Sequence, residues 1–478
     1  MTRITGLSLL LIVLPLGELG GAQKRTRPYN VLLIISDDLT ATALGCYGNR
    51  ICRTPNIDQL ASSGTRFTRA YCQATVCAPS RASMLFGYYP YASKSTGKGS
   101  GRKQVGEDRD SWPQYFRKNG YYSVRVSKVF HMGVPNDIGP GRDGSDDRES
   151  WNAVFNSAGP ESKAAGQGET LQNNPGGRKK GAAGGNRFVV VEADGGDDVH
   201  SDGKTAVQSA RLIHQLRADS KPFFLAVGFV RPHVPFVAPR KYFAPYDADS
   251  MVLPPKVPGD RDDIPNNAGN RRTSAQLQMD RGQQRRLIRG YYATVSYMDA
   301  MVGQVLKALD DSGQTDDTIV IFTSDHGYHL GEHDMWSKVS LHEESARVPL
   351  IIRVPGKKPA VCTSLVELLD LYPTASRLCG LSIPSNIQGR DISAMLDDPQ
   401  VTVRKAVLCS GKGRLLRGER WALLDYGKTG ELYDMHRDPQ QYTNLYNDPA
   451  YAETLAELKQ KLKSKLQEIQ NSDLAKEQ

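Results

Sequence analysis

The chain has 478 residues, 61 Lys+Arg against 52 Asp+Glu for a formal charge of +9, 39% hydrophobic residues and seven cysteines. That length accommodates one large domain and a smaller one. The positive balance suits a polyanionic substrate or simple solubility, whereas no nucleic-acid-reading motif or aromatic-basic stripe supports binding to nucleic acid.

Residues 1–22 read as a signal peptide: Arg3 supplies a basic start, Leu7 and its neighbours to Leu16 an apolar run, and Gly20-Gly21-Ala22 small residues for cleavage. The run is too short for a transmembrane anchor, and no later segment is long enough. The leader has no cysteine to carry a lipid, so an exported protein without a membrane anchor is expected. The absence of any Asn-x-Ser/Thr sequon favours a bacterial periplasmic or secreted origin.

Residues 29–35 form a nearly continuous apolar run, read as a strand buried on both faces, and it ends in Ser36-Asp37-Asp38. An isolated Asp-Asp is more often a helix cap. Here it has an echo, because the apolar run 318–323 ends in Ser324-Asp325-His326-Gly327. Open α/β sheets bind ligands at the carboxyl ends of their strands. Two such ends carrying carboxylates make a metal site, and oxygen ligands suit a hard cation, Ca²⁺ or Mg²⁺.

Between these runs lies Cys77-Ala78-Pro79-Ser80-Arg81, followed by Met84, Leu85 and Gly87. Pro79 pre-sets a helical φ, so Cys77 falls at a helix N-terminus where backbone N–H groups favour an anion. Arg81, one turn on, could grip an oxyanion at two points. A buried cysteine in an ordinary helix start is the plainer alternative. The pattern resembles the signature of the type I (formylglycine-dependent) sulfatases of the alkaline phosphatase superfamily, in which the cysteine is oxidised to Cα-formylglycine. The likeness extends through Thr54-Pro55-Asn56-Ile57-Asp58 and Gly64-Thr65-Arg66-Phe67. It implies Asp37, Asp38, Asp325, His326 and the modified Cys77 as metal ligands, with His at position 326 marking the iduronate-2-sulfatase branch.

Farther along, a helix from Trp112, a glycine cap and a strand lead into Lys128-Val129-Phe130-His131. If the strand ends there, Lys128 and His131 can share a side, and the segment is similar to one whose Lys and His flank the formylglycine in that branch. Ser127 stands where glycine is usual. Residues 139–203 are rich in Gly, Asp, Lys and Asn without hydrophobic periodicity, and read as an insertion loop rimming a cleft or a passive linker. A helix over 205–217 and a strand over 223–230 precede Pro232-His233-Val234-Pro235, where His233 resembles the branch's substrate-contacting histidine.

A long helix over 284–310 feeds the second metal strand. Beyond it, His329-Leu330-Gly331-Glu332-His333 satisfies a His-x-x-Glu-His zinc pattern. Gly327 and Gly331 oppose the helix that zinc chemistry needs, and Lys338 matches the family's sulfate-binding lysine. A strand over 348–352 and a helix over 366–374 follow, then short strands over 405–408, 421–424 and 431–434. The terminal helix carries Leu455, Leu458, Leu462, Leu466 and Ile469 on one stripe.

The expected fold is α/β, a large, mostly parallel mixed sheet sandwiched by helices with a smaller C-terminal α+β subdomain. The expected domains are 23–395 and 396–478. The resemblance implies hydrolysis of a sulfate ester on a carbohydrate, with a 2-O-sulfated uronic acid as the branch's substrate class and a formylglycine-generating enzyme as maturation partner. In that scheme the metal and Arg81 hold sulfate oxygens, Asp325 accepts a proton from the nucleophile and His233 protonates the leaving oxygen. His131 takes the last hydroxyl proton, while Lys128 and Lys338 stabilise charge. Rival readings are a phosphodiesterase or phosphonate hydrolase on the same fold, a sulfated-glycan binding protein with an unmodified Cys77, and a zinc peptidase. With Cys77 converted, Cys46, Cys52, Cys72, Cys362, Cys379 and Cys409 could form disulfides. Spacing allows Cys46 with Cys52 and Cys362 with Cys379, connectivity being open.

Overall fold

A computed structural model describes residues 27–94, 99–172, 187–217, 221–269 and 272–472; the signal peptide expected over 1–22 lies outside them. At the centre is strand Asn30–Asp37, flanked in parallel register by Thr318–Ser324 on one side and Phe223–Pro232 on the other. Tyr122–Ser127 extends the parallel set beyond Phe223–Pro232, and Ala153–Phe155 closes that edge. On the far side Arg347–Arg353 runs antiparallel between Thr318–Ser324 and Thr65–Tyr71, completing a nine-stranded mixed sheet with Ala360–Cys362 and Val366–Glu367.

The central strand shows why its sequence is apolar without alternation. Val31, Leu33 and Ile35 point into one hydrophobic layer with the helices Cys77–Phe86 and Trp112–Lys118. Leu32 and Ile34 point into the other, with the helices Pro55–Ser63, Ser201–Leu216 and Arg281–Asp311. Both faces are therefore covered. At roughly 1.5–3 kcal/mol for each fully buried aliphatic side chain, the strand is a rigid platform for the residues at its carboxyl end.

A separate four-stranded antiparallel sheet, Ala406–Ser410, Arg414–Gly418, Trp421–Asp425 and Gly430–Asp434, lies near the C-terminus. Helix Ala452–Gln470 follows it and buries Leu458, Leu462 and Ile469. The loop before Cys77 is tied to this sheet by hydrogen bonds from Ser410 N to Gln73 O (2.9 Å) and from Thr75 N to Ser410 O (3.2 Å).

Four expectations are corrected. The stretch 139–203 is not a plain loop: it supplies Ala153–Phe155 at the sheet edge, and Gly166–Thr170 and Val189–Ala193 pair in a small sheet with Phe236–Pro239. Its polar residues serve buried ion pairs, among them Arg102–Asp147 (2.7 Å) and Arg125–Asp146 (2.8 Å), while Ala164, Val189, Val191 and Ala193 supply a small apolar cluster. Residues 366–374 are not one helix, because Val366–Glu367 pairs with Thr65–Tyr71 and regular helix begins only at Leu371. Strand Arg414–Gly418 was not foreseen. All seven cysteines are free. Cys362 Sγ faces Pro399 O (3.4 Å) whereas Cys379 Sγ faces Tyr29 O (3.7 Å), so neighbours in sequence are held by different carbonyls.

Candidate functional site

Four parallel strands end at the same edge, and each delivers chemistry. Asp37 and Asp38 leave the central strand, Asp325 and His326 leave Thr318–Ser324, His233 follows Phe223–Pro232, and Lys128 follows Tyr122–Ser127. Cys77 opens its helix against this edge, and Lys338 reaches in from the loop beyond the second metal strand. All eight side chains are buried.

Ligand-capable atoms of Asp37, Asp38, Cys77 and His326 lie within 4.8 Å of one another. His326 Nδ1 sits 3.0 Å from Gly327 O, a carbonyl that can only accept, so the proton is on Nδ1 and the Nε2 lone pair faces Asp38 Oδ1 at 3.4 Å. Asp38 Oδ2 is buried without a hydrogen-bond donor among the described residues. Acceptors turned toward one another in a buried pocket call for a cation. Two carboxylates suit a hard divalent ion, and the thiol is the odd member of the set.

Asp325 is beside this group but outside it. Its Oδ2 accepts from Arg81 Nε (2.9 Å) and its Oδ1 from the amides of His326 (2.9 Å) and Asp38 (3.2 Å). The fully buried Arg81 guanidinium also donates to Lys128 O (2.5 Å), Val129 O (3.0 Å) and Ser36 O (3.4 Å), and stands 3.5 Å from Asp37. Its donors are spent on the protein. The two-point grip on a ligand oxyanion expected of Arg81 therefore gives way to a role in binding strand ends together.

Positive charge facing the pocket comes from the lysines. Lys128 pairs with Asp37, and Lys338 Nζ lies 2.6 Å from Asp38 Oδ1 and 3.0 Å from Cys77 Sγ. Burial raises the pKa of Asp37, but the Lys128 ammonium, His233 and Arg81 outweigh it and hold the carboxyl well below the usual range. Asp38 is raised, because burial exceeds what Lys338 returns. Burial and then the Asp37 carboxylate push the Cys77 thiol far up, so it is a poor thiolate nucleophile as it stands. Burial and the Lys128 charge bring His131 down to about 4, leaving a neutral imidazole whose buried Nδ1 has no partner among the described residues.

Ser127 has φ +59°, which ends its strand and turns Lys128 inward, accounting for glycine at that position in the related pattern. Gly228 lies under this turn: a Cβ there would meet Lys128 O at 2.1 Å. The His-x-x-Glu-His motif does not form a zinc helix. His329 lies in a short strand paired with Ser337, Gly331 has φ +113°, and His333 Nδ1 is bonded to Asp260 (2.9 Å).

Two supporting groups escaped the sequence reading. Tyr291 Oη donates to Asp38 O (2.7 Å) and accepts from Thr40 N (3.0 Å), bracing Asp38 at φ +63°. Arg231 and Glu161 form a buried pair beneath His233. An arginine between the apolar run 223–230 and its Pro-His-x-Pro sequel was the available signal; nothing in 139–203 singled out Glu161.

Residues 29–381 match the family model described as Sulfatase, and residues 331–469 match one described as N-sulphoglucosamine sulphohydrolase, C-terminal. The chain is 34% identical over 422 residues to iduronate 2-sulfatase of Homo sapiens, covering 79% of this chain and 74% of that protein. The fold is shared with a phosphonate monoester hydrolase from Silicibacter pomeroyi, with a TM-score of 0.75 and 21% identity, covering 94% of this chain and 96% of that one. It is likewise shared with a solved structure described as a 2-O GAG sulfatase, with a TM-score of 0.70 and 23% identity, covering 93% of each chain.

Proposed function

From the premise that the chain belongs to the sulfatase family as a type I sulfatase of the alkaline phosphatase superfamily, we propose that it removes sulfate from a carbohydrate using a formylglycine made from Cys77 beside Ca²⁺. The observation that carries this reading is the convergence of Asp37, Asp38, His326 and Cys77 within 4.8 Å at one sheet edge, where the thiol itself is held protonated.

Asp37, Asp38, His326 and the oxidised residue 77 would hold the ion, with Asp325 anchoring their backbone; a divalent cation held there would supply Lewis-acid polarisation of sulfate oxygens. Formylglycine would supply a hydrated aldehyde, one hydroxyl to attack sulfur and a second to expel sulfate, which a thiol cannot do. Asp325, an acceptor beside this group, takes the first hydroxyl proton. His233, once it carries a second proton on Nε2, donates that proton to the departing sugar oxygen, a step worth roughly 10²- to 10⁴-fold. Neutral His131 takes the proton of the remaining hydroxyl. Lys128 and Lys338 lie where negative charge on sulfate develops.

The human relative is named for iduronate 2-sulfate, and one neighbour is described as a 2-O GAG sulfatase. Both support a 2-O-sulfated uronic acid as the substrate class. The reading further includes export after removal of 1–22, maturation by a formylglycine-generating enzyme, and a catalytic domain over 23–395 with a subdomain over 396–478. Side-by-side assays of a sulfate monoester, a phosphodiester and a phosphonate monoester test it. Sulfate release should dominate and vanish in Cys77→Ala; preference for either phosphorus ester would overturn it.

A further inference from the structure

We infer that the buried Glu161–Arg231 ion pair is a positioning device that aims His233 at the substrate. The inference rests on the reading of His233 as the acid that protonates the leaving oxygen.

Arg231 is 1% exposed and Glu161 is 2% exposed. From Arg231, Nη2 pairs with the Glu161 carboxylate, while Nη1 donates to both His233 O (3.1 Å) and Pro235 O (2.9 Å). One guanidinium edge thus fixes the carbonyls of His233 and of the residue two beyond it. The strand end that carries Arg231 is held in turn. Asp202 accepts from Val230 N (2.8 Å) and Arg231 N (2.9 Å), and Ser36 Oγ donates to Arg231 O (2.8 Å), which ties the loop to the strand bearing Asp37. Ser201 Oγ donates to Glu161 (2.9 Å), so the carboxylate is fixed from its other side.

The ring of His233 is fixed as well. Its Nδ1 lies 2.5 Å from Val234 O, a carbonyl, so Nδ1 carries a proton and Nε2 is the position that exchanges one. That Nε2 is 3.9 Å from Asp38 Oδ2, inside the candidate centre. Burying an arginine–glutamate pair is a poor route to stability, since desolvation offsets most of the attraction. Here the pair spends its donors on backbone carbonyls that flank a reactive side chain. Proton transfer is sensitive to placement, and a shift of about 1 Å can cost about 10²-fold. Glu161 comes from the stretch 139–203, so that segment reaches the reaction through His233.

Glu161→Gln keeps an acceptor but removes the charge, and Arg231→Lys keeps the charge but loses the fork. Both are compared with His233→Ala on two esters: 4-nitrophenyl sulfate, whose leaving group needs no proton, and a 2-O-sulfated uronic acid. For the positioning variants, kcat on the sugar ester should fall about 10- to 100-fold, at least ten times more than on the aryl ester, with KM and metal content near the parent values. Arg231→Lys should retain more sugar-ester activity than Arg231→Met. If His233→Ala lowers both esters equally, the acid reading is wrong. If His233→Ala shows the split but Glu161→Gln lowers both esters alike, or only the melting temperature, the pair is structural and the inference is overturned.

Discussion

Replacing Arg81 by methionine tests whether this residue binds the site together or binds sulfate. Its guanidinium is fully buried, bonds Asp325 at 2.9 Å, stands 3.5 Å from Asp37 and donates to three backbone carbonyls. Removing one partner of such a buried pair leaves an uncompensated carboxylate, at about 3–5 kcal/mol. With an unfolding entropy of roughly 2.1 cal/mol/K per residue, the 478-residue chain loses about 1 kcal/mol per degree, so the melting temperature should fall by roughly 3–5 °C. Calorimetry measures the fall, and steady-state kinetics on a sulfate ester gives the second readout. Arg81→Lys should lower kcat with little change in KM, since the donors it loses face the protein. A methionine variant melting within about 1 °C of the parent, or a lysine variant with intact kcat and a KM raised about tenfold or more, would refute the reasoning.

Other outcomes follow from the same geometry. Gly228→Ala places a Cβ 2.1 Å from Lys128 O, so the turn bearing Lys128 must shift; kcat should drop about tenfold or more with the fold retained by circular dichroism. Asp299 accepts from Ile57 N (2.8 Å) and Asn56 N (3.2 Å) at the start of helix Pro55–Ser63, so Asp299→Ala should cost about 1–2 kcal/mol in urea unfolding. Burial raises Asp299 to about 6, above its unfolded value; its contribution is fully present below the unfolded pKa and lost as pH rises through about 6, a decline Asp299→Asn should not show. Burial brings His131 to about 4, so it stays neutral and able to accept a proton well below the ordinary histidine value. The acid limb of kcat that His131 sets should lie near pH 4, and a limb near 6.5 abolished by His131→Gln would contradict this.

Much of the fold was readable because its central strands are buried on both faces, which forces continuous apolar runs such as Val31 to Ile35 and Ile319 to Phe322. Their polar terminators marked the edge where ligands collect. The proximity of Asp37, Asp38 and His326 was legible for that reason, whereas Cys77 joined them only through the sulfatase resemblance. Arg81 was misread because a charge one helical turn from Cys77 says nothing of which acceptors surround it in space. Residues 139–203 hid their strands because these are short, three to five residues each, and set among glycines and charges such as Glu161, Asp146 and Asp147 that are buried by pairing with arginines distant in sequence. The short strand Val366–Glu367 owes its form to pairing with Thr65–Tyr71, which local propensity does not encode. Tyr291 lies on a long helix whose sequence pattern gives no sign of its hydroxyl bond to Asp38 O.

The most direct measurement is mass spectrometry of the tryptic peptide spanning residues 70–81, taken from protein matured in its own host and assayed for sulfate release. The account predicts that residue 77 carries an aldehyde, trapped by a hydrazide reagent, in proportion to the activity. A fully active preparation in which residue 77 is wholly an unmodified thiol would contradict it.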